Sequence, residues 1–246
     1  MNAEPREAAG PSYRVLKVGG ADATAFLQGQ LTQDLSRPGP LLLAGLLSPQ
    51  GRVVVLAWLA RSEGGWLLVL PAALAENVRT RLSRYVLRSK VNLELAPLEA
   101  PLERAIAATL APDARLDPLA LVRAGIASID AAGSEEWIAQ MLNLDLVGAI
   151  SFEKGCYTGQ EIVARTQHLG RIKRRLFHLG FGSGPVPAAK AAIVTSAGKV
   201  GEVVSAAATP AGVECLAVVN LDARDAPLAT EDGRACTVLP LPYPVP

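Results

Sequence analysis

The chain has 246 residues, half of them hydrophobic, 19% charged and 4% aromatic, with a formal net charge of +1. That length and apolar share support a substantial core, in one large domain or two smaller ones, and exclude wholesale disorder. A charge so near zero supplies no global field for nucleic acid or an anionic membrane, so any such attraction has to be local.

Residues Met1 to Pro11 read as a frayed tail. Tyr13–Val18 alternates as a strand does, and Asp22 then caps a helix that turns Ala25, Phe26, Leu27 and Leu31 inward. Leu41–Leu47, Arg52–Ala60 and Trp66–Leu70 have strand length, with turn-formers at Ser48-Pro49-Gln50-Gly51 and Ser62–Gly65. Leu74, Val78, Leu82 and Tyr85 mark one face of a second helix, followed by a strand at Val91–Leu95. This order predicts an α+β layer with helices on one side of a sheet. From Ala96 to Asn143 the pattern is mostly helical, broken by prolines and glycines. Beyond Arg171 short apolar runs alternate with Gly- and Pro-bearing turns, the texture of a small β-barrel or sandwich of about 70 residues. The division expected is therefore an α+β domain over 1–170 and a C-terminal β-barrel over 171–246, with no internal repeat.

Several function classes are excluded or disfavoured. No run reaches the length of a membrane-spanning helix, and the N-terminal stretch with Glu4, Arg6 and Glu7 lacks the build of a secretory signal. Three scattered cysteines argue against a disulfide framework and for a reducing cytoplasm. There is no Cys-x-x-Cys, and His168 and His178 are the two histidines, so no dedicated metal site is expected. Both histidines lie among arginines, which argues against a Ser-His-Asp hydrolase.

The densest chemistry lies in Lys154-Gly155-Cys156-Tyr157-Thr158-Gly159-Gln160-Glu161, followed by Arg165, Arg171, Lys173, Arg174 and Arg175. Thr158 and Glu161 have capping-box spacing, which is one reading of that glutamate. The other is a carboxylate that accepts two adjacent N–H donors from an aminopyrimidinone edge. Cys156 is either a small hydrophobe at a turn or a thiol activated by Lys154 and a helix start. Cys215 and Cys236, in apolar runs, read as structural. The Arg171–Arg175 run is either a solvated face or the source of an arginine for a carboxylate-bearing ligand; on a strand, Lys173 and Arg175 share one side and Arg174 takes the other.

Taken together, these motifs resemble the YgfZ-type folate-binding proteins, relatives of the glycine cleavage aminomethyltransferase, or T-protein. The resemblance rests on Lys154 to Glu161, Ala164-Arg165 and Lys173-Arg174-Arg175. It is supported by Gly20-Ala21-Asp22, the stretch Phe26-Leu27-Gln28 to Asp34, Arg88-Ser89-Lys90-Val91, Asn143-Leu144 and Pro240-Leu241-Pro242-Tyr243. It implies a ring-like α+β fold with a C-terminal β-barrel around a pocket for tetrahydrofolate or a one-carbon derivative. Glu161 would hold the pterin and Arg174 or Arg175 the folate, with Gln160, Tyr157 and Gln28 as further motif positions in the binding set. Lys154 and Cys156 match the lysine and cysteine of the family's motif and would be the catalytic candidates, presenting a reactive or metal-contacting thiol near the folate.

Two departures stand out. Where T-proteins carry a catalytic aspartate on the strand after a Gly-Gly turn, this chain has Arg52-Val53-Val54-Val55-Leu56. Aminomethyl transfer then lacks its acid–base partner, so glycine cleavage is not the expected reaction. The stretch between Val91 and Arg123 is also shorter than in longer members.

The function implied first is a tetrahydrofolate-binding accessory protein that supports assembly or repair of iron–sulfur enzymes and thereby tRNA methylthiolation. Its partners would be iron–sulfur enzymes or assembly proteins, without stable nucleic-acid binding or membrane contact, and the chain would be a monomer. The alternatives are a folate-dependent one-carbon transferase using Cys156 and a direct RNA-binding module using Arg165 to Arg175.

Overall fold

The computed structural model describes residues 12–246, so the expected tail at Met1–Pro11 lies outside the described residues. Five antiparallel strands, β1 (Tyr13–Gly19), β2 (Leu41–Leu47), β3 (Val53–Ser62), β4 (Gly65–Pro71) and β5 (Asn92–Pro97), form one sheet. Their spatial order is β2-β3-β4-β1-β5. Helices α1 (Ala23–Gln28) and α2 (Ala72–Val86) pack with the core residues Leu16, Val18, Leu68 and Leu70. Leu74, Val78 and Leu82, one turn apart, form the buried stripe of α2, whereas Tyr85 is exposed at 41%.

The sheet is covered on both faces, not one. Val15, Trp58 and Val69 make a second cluster with Ile106 of α3 (Ala100–Leu110) and Leu121 of α4 (Pro118–Arg123). The cause is legible in β3, whose residues Val53 to Ala60 are all buried: a strand apolar at both parities needs cover on both sides. The region between α4 and residue 143 is mostly irregular, ending in a 3-10 turn at Ala139–Leu142, so the expected helical stretch is largely loop. Asp22 stands at the start of α1 but caps no amide of that helix; its carboxylate accepts from the Lys90 backbone N–H at 2.7 Å. Ala25 faces solvent rather than the core, and Leu31 lies beyond the helix, bridged to Leu46.

Strands β6 (Arg174–Phe181), β7 (Ala192–Thr195), β8 (Gly198–Thr209), β9 (Gly212–Asn220), β10 (Leu228–Thr230) and β11 (Ala235–Leu239) close into a barrel. Alternation sorts its side chains. Phe177, Leu179 and Phe181 of β6 and Val213, Cys215, Ala217 and Val219 of β9 fill the interior. Leu176, Leu216 and Val218 point outward and join the core of the α+β layer. Burial pushes the Cys215 thiol well above its ordinary pKa, which fits an inert filler.

Polar joints fix the barrel on the layer. Arg175 is buried and grips Asp145 through two hydrogen bonds of 2.7 and 2.9 Å, with a third to the Gln140 carbonyl at 2.9 Å. Asn143, buried in a left-handed conformation, donates to the Leu176 carbonyl at 2.9 Å and accepts from its N–H. Arg123 of α4 makes a bidentate pair with Glu214 of β9, which also meets the buried His178 ring at 3.0 Å. After β11 the chain returns to the layer, where the Tyr243 hydroxyl donates to the Gly125 carbonyl at 2.7 Å.

Removing one partner of a desolvated ion pair leaves the other charge stranded. Asp145→Ala is therefore expected to lower the unfolding free energy by about 3–5 kcal/mol, whereas Arg175→Met with Asp145→Leu recovers most of it. Urea denaturation of the two variants checks this.

Candidate functional site

The site is built from two loops that the sequence places more than a hundred residues apart. The first leaves α1 at Gly29 and runs to Leu35. Gln28 closes it: its amide donates to Asp34 at 2.8 Å and its carbonyl accepts from the Leu35 N–H at 2.9 Å. Hydrogen bonds from the Ser36 backbone, from Gln28 and from the Ser36 hydroxyl, with a smaller pull from Lys154, hold the Asp34 carboxyl down to about 2. Thr32 is fully buried; its hydroxyl donates to the Ala149 carbonyl at 2.6 Å and accepts from the Gly45 N–H at 2.8 Å. The Gln33 side chain donates to the carbonyls of Gly148 and Leu43. With Thr32 and Gln33 pinned, the carbonyls of Leu31 and Gln33 converge on one point.

The Lys154 ammonium occupies that point. Its Nζ donates to both carbonyls at 2.8 Å and lies 5.2 Å from the centre of the Tyr157 ring. Burial lowers the lysine pKa to about 8, against the smaller opposing pull of Asp34. Two backbone bonds, Ser151 N–H to Thr32 O at 2.9 Å and Thr158 N–H to Gly29 O at 3.1 Å, lay the second loop along the first. Tyr157 is buried, and that burial pushes its hydroxyl up to about 12. Between these anchors, Gly155 and Cys156 are exposed.

Helix α5 (Gln160–His168) follows at once. The residue before it is Gly159, at φ +81, where a Cβ would stand 2.5 Å from the Ser48 carbonyl; Gly51 faces Ile162 as closely. The turn Ser48–Gly51 is thus packed directly on the start of α5. Of the two readings of Glu161, the capping box does not form. Gly159 makes no side-chain cap, and Glu161 instead pairs with Arg165 one turn on, at 2.7 Å. Both side chains are largely exposed, and Glu161 presents its carboxylate at the surface.

The structure thus brings Lys154, Tyr157, Gln160 and Gln28 into one assembly, with Gln160 accepting from the Tyr157 N–H at 3.3 Å. Cys156 lies on its rim. The Lys154 amine is engaged by carbonyls, and Glu161 stands at the first turn of α5. Arg174 and Arg175, at the start of β6, part company. Arg174 is exposed, donating to Asn220 at 3.0 Å, while Arg175 is the buried joint to Asp145. Sequence reasoning gave no role to Thr32, Gln33, Asp145 or Gln140. The available signal was three consecutive polar residues, Thr32 to Asp34, between the buried Leu31 and Leu35. A cavity of about 390 Å³ lies against Gln33, Arg37, Leu43, Trp58, Val147 and Gly148. It is lined by neither Lys154, Cys156 nor Glu161, and Gln33 is what it shares with the carbonyl pair.

The chain matches no protein-family model. Among curated proteins it is similar to a tRNA-modifying protein YgfZ of Klebsiella pneumoniae (strain 342), with 30% identity covering 72% of each chain. The chain belongs to the YgfZ family. A second YgfZ, from Enterobacter sp. (strain 638), is 28% identical over 94% of this chain and 91% of its own length. An uncharacterized Haemophilus influenzae protein is 33% identical over 67% and 70%. The YgfZ fold seen here also resembles the glycine cleavage system aminomethyltransferase T of Bartonella henselae. That match has a TM-score of 0.69, with 15% identity over 92% of this chain and 82% of that one. Among the described residues no group of three or more His, Cys, Asp or Glu side chains is placed to hold a metal ion. None of the described helices is long and apolar enough to cross a membrane.

The depressed Lys154 pKa carries a sign. Below about 8 the amine is charged in both folded and unfolded chains, and the folded state bears the desolvation cost. As pH rises from about 8 to 10.5 the folded state alone sheds its proton, and that cost disappears. Relative to Lys154→Met, the wild type is expected to gain about 3 kcal/mol of stability across this window. The ¹⁵Nζ shift of Lys154 should titrate with a midpoint near 8; a midpoint above 10 would show the ammonium to be solvated.

Proposed function

We propose that this protein binds tetrahydrofolate, or a one-carbon derivative of it, and serves as an accessory factor for iron–sulfur enzymes that modify tRNA. The observation that carries this reading is the braced pair of loops. Lys154 fixes residues 154–161 from beneath, leaving Cys156 and the Glu161 carboxylate exposed on one short segment. The tRNA end of the reading comes from the YgfZ relatives, named as tRNA-modifying proteins. The folate end comes from the family resemblance and the T-protein fold.

The residues fit the pterin end of such a ligand. Glu161 has one carboxylate oxygen paired with Arg165, in an exposed contact that is cheap to exchange. An aminopyrimidinone offers two N–H groups side by side, and a carboxylate can accept both. Between the two arginines, Arg174 is the one that can meet the ligand's carboxylates, because Arg175 has both terminal nitrogens on Asp145. When bound, the folate would supply a one-carbon unit or a reducing ring. The chain's own residues orient it and present the Cys156 thiol.

Aminomethyl transfer is not the reaction this reading assigns. The start of β3 carries Val53, Val54, Val55 and Leu56, all buried and none able to move a proton. A thiol-dependent one-carbon transfer remains the second reading, favoured by the exposure of Cys156. With no ligand cluster of its own among the described residues, the protein would meet an iron–sulfur centre jointly with its client.

Calorimetric titration of reduced tetrahydrofolate into wild type and Glu161→Gln tests the proposal. Binding in wild type and a loss of about 1.5–3 kcal/mol in the variant, the range for a charge-assisted hydrogen bond, is expected. Absence of binding in the wild type would overturn it. Turnover of a one-carbon folate that is lost in Cys156→Ser would move the assignment to the transferase.

A further inference from the structure

A second surface is unused by this site. Helix α2 carries Arg79, Arg81, Arg84, Arg88 and Lys90 in and just beyond its C-terminal half. Arg79 pairs with Glu76, and Arg81 with Glu135. Among the described residues no carboxylate forms an ion pair with Arg84, Arg88 or Lys90, and all three are exposed. Between them stand Tyr85, 41% exposed, and Leu87, 89% exposed.

The backbone holds this patch in place. Leu87, at φ +37, turns the chain out of the helix. Ser89 N–H then returns to Val86 O at 2.7 Å, and Lys90 is tied to Asp22 through both its N–H (2.7 Å) and its carbonyl (3.3 Å). Gly20 approaches the Lys90 carbonyl so closely that a Cβ there would lie 2.1 Å away. The cations are therefore presented by an ordered segment, which lowers the entropic cost of engaging them. Along the helix, Glu76, Asn77, Thr80, Arg81 and Arg84 line an open groove, with the Glu76 carboxylate paired to Arg79.

Against the sequence-based expectation of no stable nucleic-acid binding, we propose that this face of α2 and its C-terminal turn is a docking surface for the phosphate backbone of folded RNA. Guanidinium, amide and hydroxyl groups in a row are the side chains that contact phosphate and ribose, and an exposed tyrosine adds a ring or hydroxyl for an unstacked base or a 2′-OH. Three cations without a carboxylate partner are complementary to a polyanion such as the phosphate backbone, whereas Tyr85 and Leu87 alone are a small apolar centre for a protein interface. The choice of tRNA as the RNA rests on the function proposed above; the surface itself is distinct from the Lys154 loop and from Arg165 to Arg175.

The test is fluorescence anisotropy of a labelled, unmodified tRNA transcript with the full chain over a salt series. Saturable binding is expected, with log K falling against log salt at a slope of about −2 to −3. Arg84→Ala with Arg88→Ala should weaken it by about tenfold or more and flatten the slope by about 1.5 to 2. Tyr85→Ala should weaken it with the slope unchanged, and Arg171→Ala with Lys173→Ala should leave it as in wild type. No binding by the wild type overturns the proposal, as does an Arg84/Arg88 variant that binds normally. Loss of binding in the Arg171/Lys173 variant in its place would put the RNA on the other stripe. Polyglutamate bound as tightly as tRNA would make the partner an acidic protein. Tetrahydrofolate titration of the Arg84/Arg88 variant keeps the two proposals separable, because its folate binding should be unchanged.

Discussion

A lysine drawn out of water must find acceptors, and here it finds two backbone carbonyls that would otherwise lack partners on that side. The pairing of Lys154 with Leu31 and Gln33 is the interaction on which the surrounding structure depends. It needs the two carbonyls to converge, which requires Thr32 and Gln33 to be held by Ala149, Gly45 and Gly148. It also needs the second loop laid along the first. Each requirement is met by a polar group buried at some cost and satisfied by hydrogen bonds, the condition under which such networks specify one arrangement. The result is a rigid seat under a segment whose outer residues, Gly155 and Cys156, are exposed.

The same logic recurs at the barrel. Arg175, Asn143, Glu214 and Tyr243 form directional contacts at separate points around one interface. Hydrophobic burial supplies the attraction between barrel and layer, but it is non-directional. The hydrogen bonds decide the angle at which the two meet, and so where Arg174 lies relative to α5.

Much of this was legible in the sequence. The strand runs, the amphipathic stripe of α2 and the change of texture beyond Arg171 are local patterns, and local patterns survive into the fold. The motif from Lys154 to Glu161 marked the candidate site because few purely structural segments hold an amine, a thiol and a carboxylate together. What escaped depended on distant partners. Spacing left a capping box as one of two readings of Glu161, but the turn at Ser48 crowds the helix start so closely that a glycine stands there. The family resemblance left Arg174 and Arg175 as alternatives, and only Asp145, thirty residues away in sequence, shows that one of them is engaged as a buried joint. Helices were expected on one side of the sheet, although β3 is apolar at both parities and that pattern already called for two.

The alternation along β9 has a consequence of its own. Val213, Cys215, Ala217 and Val219 belong to the barrel interior, while Leu216 and Val218 belong to the core of the other layer. A slip of one residue in the pairing with β6 would turn every one of these side chains to the wrong face. Both cores would lose their contents at once, so no intermediate register satisfies one and spares the other. Closing the barrel and seating it are in effect a single decision, and the strand checks its own alignment against two independent templates.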